Sequence, residues 1–100
     1  MAQQFTIVAH LVARPNKIEA TKEFLLGLVG PTRAEDGAID YHLHQDDDNP
    51  AEFTFYENWR SRADWDEHMT LDHLKEFARR SNELFAVPPQ IRKMTMISER

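Results

Sequence analysis

The residues of this chain best suited to chemistry are five histidines, two tryptophans and one glutamate inside an apolar run. Unperturbed imidazole changes charge near neutrality, which suits proton transfer, and His68 and His73 are the candidates for it. Glu57 falls in Phe53-Thr54-Phe55-Tyr56-Glu57-Asn58-Trp59 and shares a strand face with Phe53, Phe55 and Trp59. If that face is buried, its carboxyl must pair, accept hydrogen bonds or keep its proton to unusually high pH. Two roles stay open for Glu57. It is a base or the orienter of a histidine, or it is a structural carboxylate bonded to helix-end amides or to an arginine such as Arg33. His73 is equally open between capping or core packing and a pocket role. Trp59, Trp65, Tyr41, Phe55, Phe24 and Phe77 can wall a pocket for an aromatic guest. His42 and His44 stand two apart on one strand face and form a candidate ligand pair. However, there is no cysteine, no histidine pair sits four apart on a helix, and His68 and His73 would diverge on an unbent helix. No metal site is therefore expected, and His10, His42 and His44 receive no role.

Elements must position these groups. Phe5 to Ala13 is β-branched and alternating, and reads as a first strand. Arg14-Pro15 ends it. Asn16 to Glu19 reads as a capping box that opens a helix carrying Ile18, Thr21, Phe24, Leu25, Leu28 and Val29 at helical spacing. Pro31 predicts that this helix bends or ends before Glu35. Ala38 to Asp46 is a second strand, and Asp47-Asp48-Asn49-Pro50 a turn. Phe53 to Trp59 is a third strand, paired antiparallel with the second. Ser61 to about Leu84 is helical, but its apolar stripe shifts near Thr70-Leu71-Asp72, which predicts two helical pieces with a bend. Ile91 to Ser98 forms the last strand. The order β-α-β-β-α-β is the ferredoxin-like split βαβ plan, an α+β fold with an antiparallel sheet and both helices on one face. The other face carries Val8, Val12, Tyr56, Met94 and Met96, more apolar area than a monomer tolerates. A homodimer through that open sheet face is expected.

One hundred residues make one domain, spanning 1–100. Hydrophobic residues are 41% and charged residues 29%, as in globular chains. Twelve Lys and Arg against seventeen Asp and Glu give a net charge of −5. Without a basic stripe, neither nucleic acid nor an anionic membrane is expected as a partner. The absence of cysteine excludes disulfides, thiolate metal sites and a Cys nucleophile. Met1-Ala2-Gln3-Gln4-Phe5 lacks the basic region of a signal peptide, and no apolar stretch approaches a membrane span, so a cytoplasmic location is expected.

Several stretches together resemble the antibiotic biosynthesis monooxygenase (ABM) family, especially its small quinol monooxygenase-type members. They are Glu57-Asn58-Trp59 at a strand end, His68 and His73 five apart, and Phe77 four residues on. Arg33-x-Glu35-x-Gly37 followed by Tyr41, and an opening strand that ends in Arg14-Pro15, fit the same pattern. The resemblance spans nearly the whole chain. It implies a dimeric α+β barrel with a pocket between each sheet and its helices. It also implies oxygenation of an electron-rich aromatic by O2 without flavin, haem or metal, so no cofactor is expected. Haem-degrading relatives carry an Asn on the first strand where this chain offers His10, which counts against haem. Quinol-type relatives tend to have an acidic residue at that place, a departure that leaves His10 without a carried-over role.

On this resemblance His68, His73 and Glu57 are the candidate catalytic residues. Trp59, Trp65, Tyr41, Phe55, Phe24 and Phe77 are the candidate substrate-binding set, and the expected partners are a small aromatic substrate and O2. A cofactor-free oxygenase needs an electron-rich substrate, a base that favours its phenolate, and a pocket that excludes water. Two other functions use the same scaffold: a proton-transfer isomerase of a small metabolite, and a non-catalytic dimeric ligand-binding module.

Overall fold

The computed structural model describes residues 4–98. The end residues 1–3 and 99–100, which the expected domain includes, lie outside the described residues. Seven elements follow in order: β1 (Phe5–Val12), α1 (Ile18–Arg33), β2 (Ala38–Gln45), β3 (Glu52–Trp59), α2 (Arg62–His68), α3 (Asp72–Leu84) and β4 (Gln90–Thr95). The strands form one sheet in the order β2-β3-β1-β4, every neighbouring pair antiparallel. This is the ferredoxin-like arrangement, with β2 and β4 as the edges.

Alternation along the strands creates two faces. Ile7, Ala9 and Leu11 of β1, Tyr41 of β2, and Phe53, Phe55, Glu57 and Trp59 of β3 face the helices and are buried. They meet Leu25 and Leu28 of α1, Trp65 of α2, and Leu84 and Phe85 at the end of α3. Each fully buried side chain of this size contributes about 1.5–3 kcal/mol. The opposite face carries Val8, Tyr56 and Met94, of which Tyr56 and Met94 are exposed. Polar chains cross it as well. Thr6 Oγ1 donates to Asn58 Oδ1 (2.6 Å), and Asn58 Nδ2 donates to Asp40 Oδ2 (3.0 Å).

The bend expected in the second helical stretch is a full break. Ser61 opens α2, its Oγ accepting from the Asp64 N–H. That helix stops at His68, and α3 begins at Asp72. Between them the Leu71 N–H turns back to the His68 carbonyl (3.2 Å). The separate apolar stripes on either side require this change of direction.

One local expectation on α1 is corrected. The capping box of Asn16 and Glu19 does not form; Lys17 occupies the N-cap, and no side chain closes it. The Lys17 N–H donates to the Arg14 carbonyl (2.8 Å), and this tight turn moves the helix start past Asn16. As expected, α1 stops before Glu35: it runs through Pro31 and ends at Arg33. The proline lies in the last turn, where it removes one N–H, and the chain closes with Ala34 N–H to Gly30 O (3.2 Å) and Glu35 N–H to Thr32 O (3.0 Å). Among the described residues no helix is long and apolar enough to cross a membrane.

Candidate active site

The break between α2 and α3 turns two histidines toward one carboxylate. His68, the last residue of α2, donates from Nδ1 to Glu35 Oε2 at 2.8 Å. His73, in the first turn of α3, donates from Nε2 to the same oxygen at 2.9 Å. A carboxylate only accepts, so both of these nitrogens carry hydrogen. The free ring nitrogens are therefore Nε2 of His68 and Nδ1 of His73. His68 is 2% exposed, Glu35 14% and His73 20%, so the triad runs from the interior toward solvent. The divergence expected on an unbent helix does not arise, because the helix carrying the two histidines is broken between them.

Glu35 reaches this place from the link between α1 and β2, and Gly37 sets how closely that link lies to α2. A Cβ at Gly37 would fall 2.3 Å from Asp64 Cβ. Asp64 is held by the Arg60 guanidinium (2.9 Å to each oxygen) and by Ser61 Oγ (2.9 Å), so it has little room to yield. The Arg60 N–H also donates to the Gly37 carbonyl at 2.8 Å. Glycine is required here for close approach.

On its inner side His68 lines a pocket between the sheet and the two short helices. Ile7, Ala9 and Leu11 form its floor with Tyr41, Phe55 and Glu57. Trp65, Met69, Leu74 and Phe77 form its roof, and Ile91 of β4 its side. The void is about 30 Å³ in space open to a water centre, room for about two waters. Met69 and Ile91 are partly exposed and form the rim.

The polar groups of this pocket are electrostatically distinct. Burial, with a smaller push from the charge of Glu35, raises the Glu57 carboxyl to about 7 against the opposing hydrogen bond from Trp59 Nε1 to Glu57 Oε1 (2.9 Å). Glu57 thus titrates near neutral pH. It does not bond to Arg33, whose guanidinium donates instead to the Tyr41 carbonyl (3.1 Å) and to His42 Nδ1 (3.0 Å). Burial lowers the His68 imidazolium, while the bond and charge of Glu35 favour it. Burial and the nearby Glu57 charge raise the Tyr41 hydroxyl, which stays protonated. Tyr41 and Glu57 are direct cross-strand partners, and Tyr41 stacks on Phe55 with ring centres 4.6 Å apart.

The remaining sequence-selected residues fall elsewhere. Trp59 is fully buried behind the pocket, its ring 4.5 Å from that of His68. It supports His68 and Glu57 from outside the lining. Phe24 faces a separate open groove between α1 and α3, where the Arg80 guanidinium lies 5.0 Å from its ring. His73 lines that same groove and reaches the pocket residue His68 through Glu35 and through an edge-on ring contact, centres 5.7 Å apart. His10 lies on the opposite sheet face, its Nε2 2.9 Å from Glu52. His42 and His44 share that face, His42 turned toward Asp40 and Arg33. Glu35 was missed as a site residue, although the Arg33-x-Glu35-x-Gly37 run had singled out its neighbourhood.

Comparison with known proteins places this geometry. The sequence profile described as "Antibiotic biosynthesis monooxygenase" matches residues 4–80. "Putative monooxygenase Rv0793" of Mycobacterium tuberculosis is 29% identical over 99 residues, covering 99% of this chain and 97% of that one. The Synechocystis protein sll1783 is 30% identical over 86 residues, and the match covers 58% of its length. The crystal structure of PA3566 from Pseudomonas aeruginosa superposes with a TM-score of 0.92 at 32% identity, covering 98% of both chains. SO0527 from Shewanella oneidensis gives 0.89 at 29% identity, covering 96% of this chain and 93% of that one. The profile covers most of the chain, and the chain belongs to the antibiotic biosynthesis monooxygenase family.

Proposed function

We propose that this protein is a cofactor-independent monooxygenase that oxidises a quinol or polyphenol-like aromatic with O2. One observation carries the reading: His68, tied through Nδ1 to Glu35, leaves Nε2 as an unprotonated acceptor on a residue that lines a largely apolar pocket. The family of the chain supports the same reaction class.

In this reading His68 Nε2 takes a proton from a ring hydroxyl of the quinol. Glu35 stabilises the resulting imidazolium, and the apolar walls keep water from the anion. The anion passes one electron to O2, and the radical pair joins at a ring carbon to give a hydroperoxide. Loss of water leaves a new ring carbonyl. The substrate supplies all four electrons; one oxygen atom stays on the ring and the other leaves as water. Glu57, titrating near pH 7, and the Tyr41 hydroxyl are the pocket's hydrogen-bonding groups for substrate oxygens.

The void is smaller than the cavity of about 150 Å³ that holds benzene. Substrate binding therefore displaces the rim side chains Met69 and Ile91. The outer sheet face, where Tyr56 and Met94 are exposed among polar residues, is in this reading covered by a second copy of the chain; light scattering should give twice the chain mass, and a monomer would overturn that part.

The test is oxygen uptake by the purified protein with a reduced naphthoquinol. Uptake should exceed both buffer and a His68→Ala variant by at least about 100-fold, the scale of a general base. Uptake equal to the variant's overturns the reading for this substrate class. Product formed at the same rate under argon would instead identify a proton-transfer isomerase.

A further inference from the structure

We propose that Glu35, His68 and His73 form a binding site for one divalent cation of the zinc type. Occupancy of the site would convert His68 from a proton acceptor to a donor on the pocket side. Cation binding stands apart from the proposed oxygenation; only its effect on turnover rests on that reading.

Among the described residues these three form the one group of at least three potential ligands whose donor atoms lie within 4.8 Å of one another. Two imidazoles and a carboxylate are a donor set that suits zinc and its first-row neighbours, with positions left for water. Zinc–nitrogen and zinc–oxygen bonds of about 2.0–2.2 Å in a tetrahedron place donors about 3.3 Å apart. The present nitrogen–oxygen separations are 2.8 and 2.9 Å. These two separations need to open by only a few tenths of an ångström, the two nitrogens already lie within 4.8 Å of each other, and the break between α2 and α3 lets one histidine move without the other.

The surroundings favour a cation. Glu35 opens to a hollow that also holds Asp36, Asp64 and Glu67, with Arg60 as its basic member. His73 opens on the other side to the α1–α3 groove, beside Glu23, Glu76 and Arg80. Both routes lead to solvent without passing through the apolar pocket.

Binding rearranges hydrogens without loss or gain. The ion takes the lone pairs at His68 Nδ1 and His73 Nε2, and each ring moves its hydrogen to its other nitrogen. His68 Nε2 then bears hydrogen and no longer accepts a proton from a substrate hydroxyl. A cation at this site therefore inhibits the base while holding the helices together.

The experiment uses the full chain freed of metal by a chelator. Zn²⁺ is titrated against a chromophoric indicator, and native mass spectrometry gives the stoichiometry. One ion per chain is expected. Glu35→Gln and His73→Gln should each weaken binding by about 100-fold, while a His42→Ala, His44→Ala double variant binds as the wild type. Absence of one-to-one binding overturns the proposal. So does undiminished binding in either single variant, or loss of binding in the double variant. Should a variant fail to fold, histidine-ring nitrogen NMR on the wild type decides. Zn²⁺ must shift His68 Nδ1 and His73 Nε2 and move hydrogen to His68 Nε2; unmoved resonances overturn the site. Oxygen uptake is a separate readout, since the binding result holds whether or not a quinol is turned over.

Discussion

Glu35 and His68 stand 33 positions apart in the chain and 2.8 Å apart in the fold, carboxylate oxygen to Nδ1. This contact fixes which imidazole nitrogen carries hydrogen. With the carboxylate as acceptor, Nδ1 is the donor and Nε2 keeps its lone pair. Replacing Glu35 by Gln keeps the shape but removes the charge that stabilises an imidazolium, and an amide can turn its NH2 toward Nδ1. Glu35→Gln should lower kcat by roughly 10- to 100-fold, as for other partners that orient a functional histidine. KM should change little, because Glu35 does not line the pocket. Steady-state oxygen uptake checks this, and a variant altered only in KM would show that Glu35 acts on binding.

The strand and helix order was readable because alternation and helical spacing are local properties. The break after His68 was readable too, from the mismatch between the stripe of Trp65 and that of Leu74 and Phe77. Glu35 was not readable as the partner of His68. It is one acidic residue among seventeen, and its role arises only when the helix break aims two distant histidines at it. Phe24 shows the reverse failure. Its spacing fits the apolar stripe of α1, but that stripe is wider than the contact with the sheet, and Phe24 falls on the margin facing α3. The asparagine of the expected capping box failed because the turn at Arg14 and Lys17, made by backbone atoms, decides where α1 starts.

Glu57 makes stability depend on pH in a calculable direction. Its carboxyl ordinarily titrates at 4.5 and is raised to about 7 in the fold. Between these values the folded protein binds more protons than the unfolded chain, so this group's contribution declines as pH rises through the window. Above about 7 the loss is complete, on the order of 3 kcal/mol. Glu57→Gln retains an acceptor for the Trp59 indole and removes the titration. Urea unfolding at pH 5 and pH 8 should show the wild type losing stability relative to Glu57→Gln. Parallel pH curves for the two proteins would mean that Glu57 is not raised.

Gly37 is a packing requirement rather than a conformational one, since no described glycine has a positive φ. Ala at this position drives its methyl into Asp64 Cβ. The first turn of α2 must move away, carrying His68 at its other end from Glu35. Overpacking of this kind costs about 1–3 kcal/mol. Gly37→Ala should therefore lower Tm by several degrees and reduce kcat, whereas Gly27→Ala, where a Cβ meets nothing within 4 Å, should not lower Tm. Equal melting temperatures for Gly37→Ala and wild type would contradict the close approach.

Access to the pocket can be separated from chemistry at its rim. Ile91 lines the void yet is 38% exposed, on an edge strand where a larger side chain can extend into solvent. Ile91→Trp places a rigid ring across the opening without disturbing His68, Glu35 or Glu57. If substrate enters between Ile91 and Met69, this variant should lose about 10-fold or more in kcat/KM for a bicyclic quinol, with a smaller loss for a single-ring quinol. Its stability should stay within about 0.5 kcal/mol of wild type, as for most surface substitutions. An unchanged kcat/KM for both substrates, with unchanged stability, would place the entrance away from Ile91.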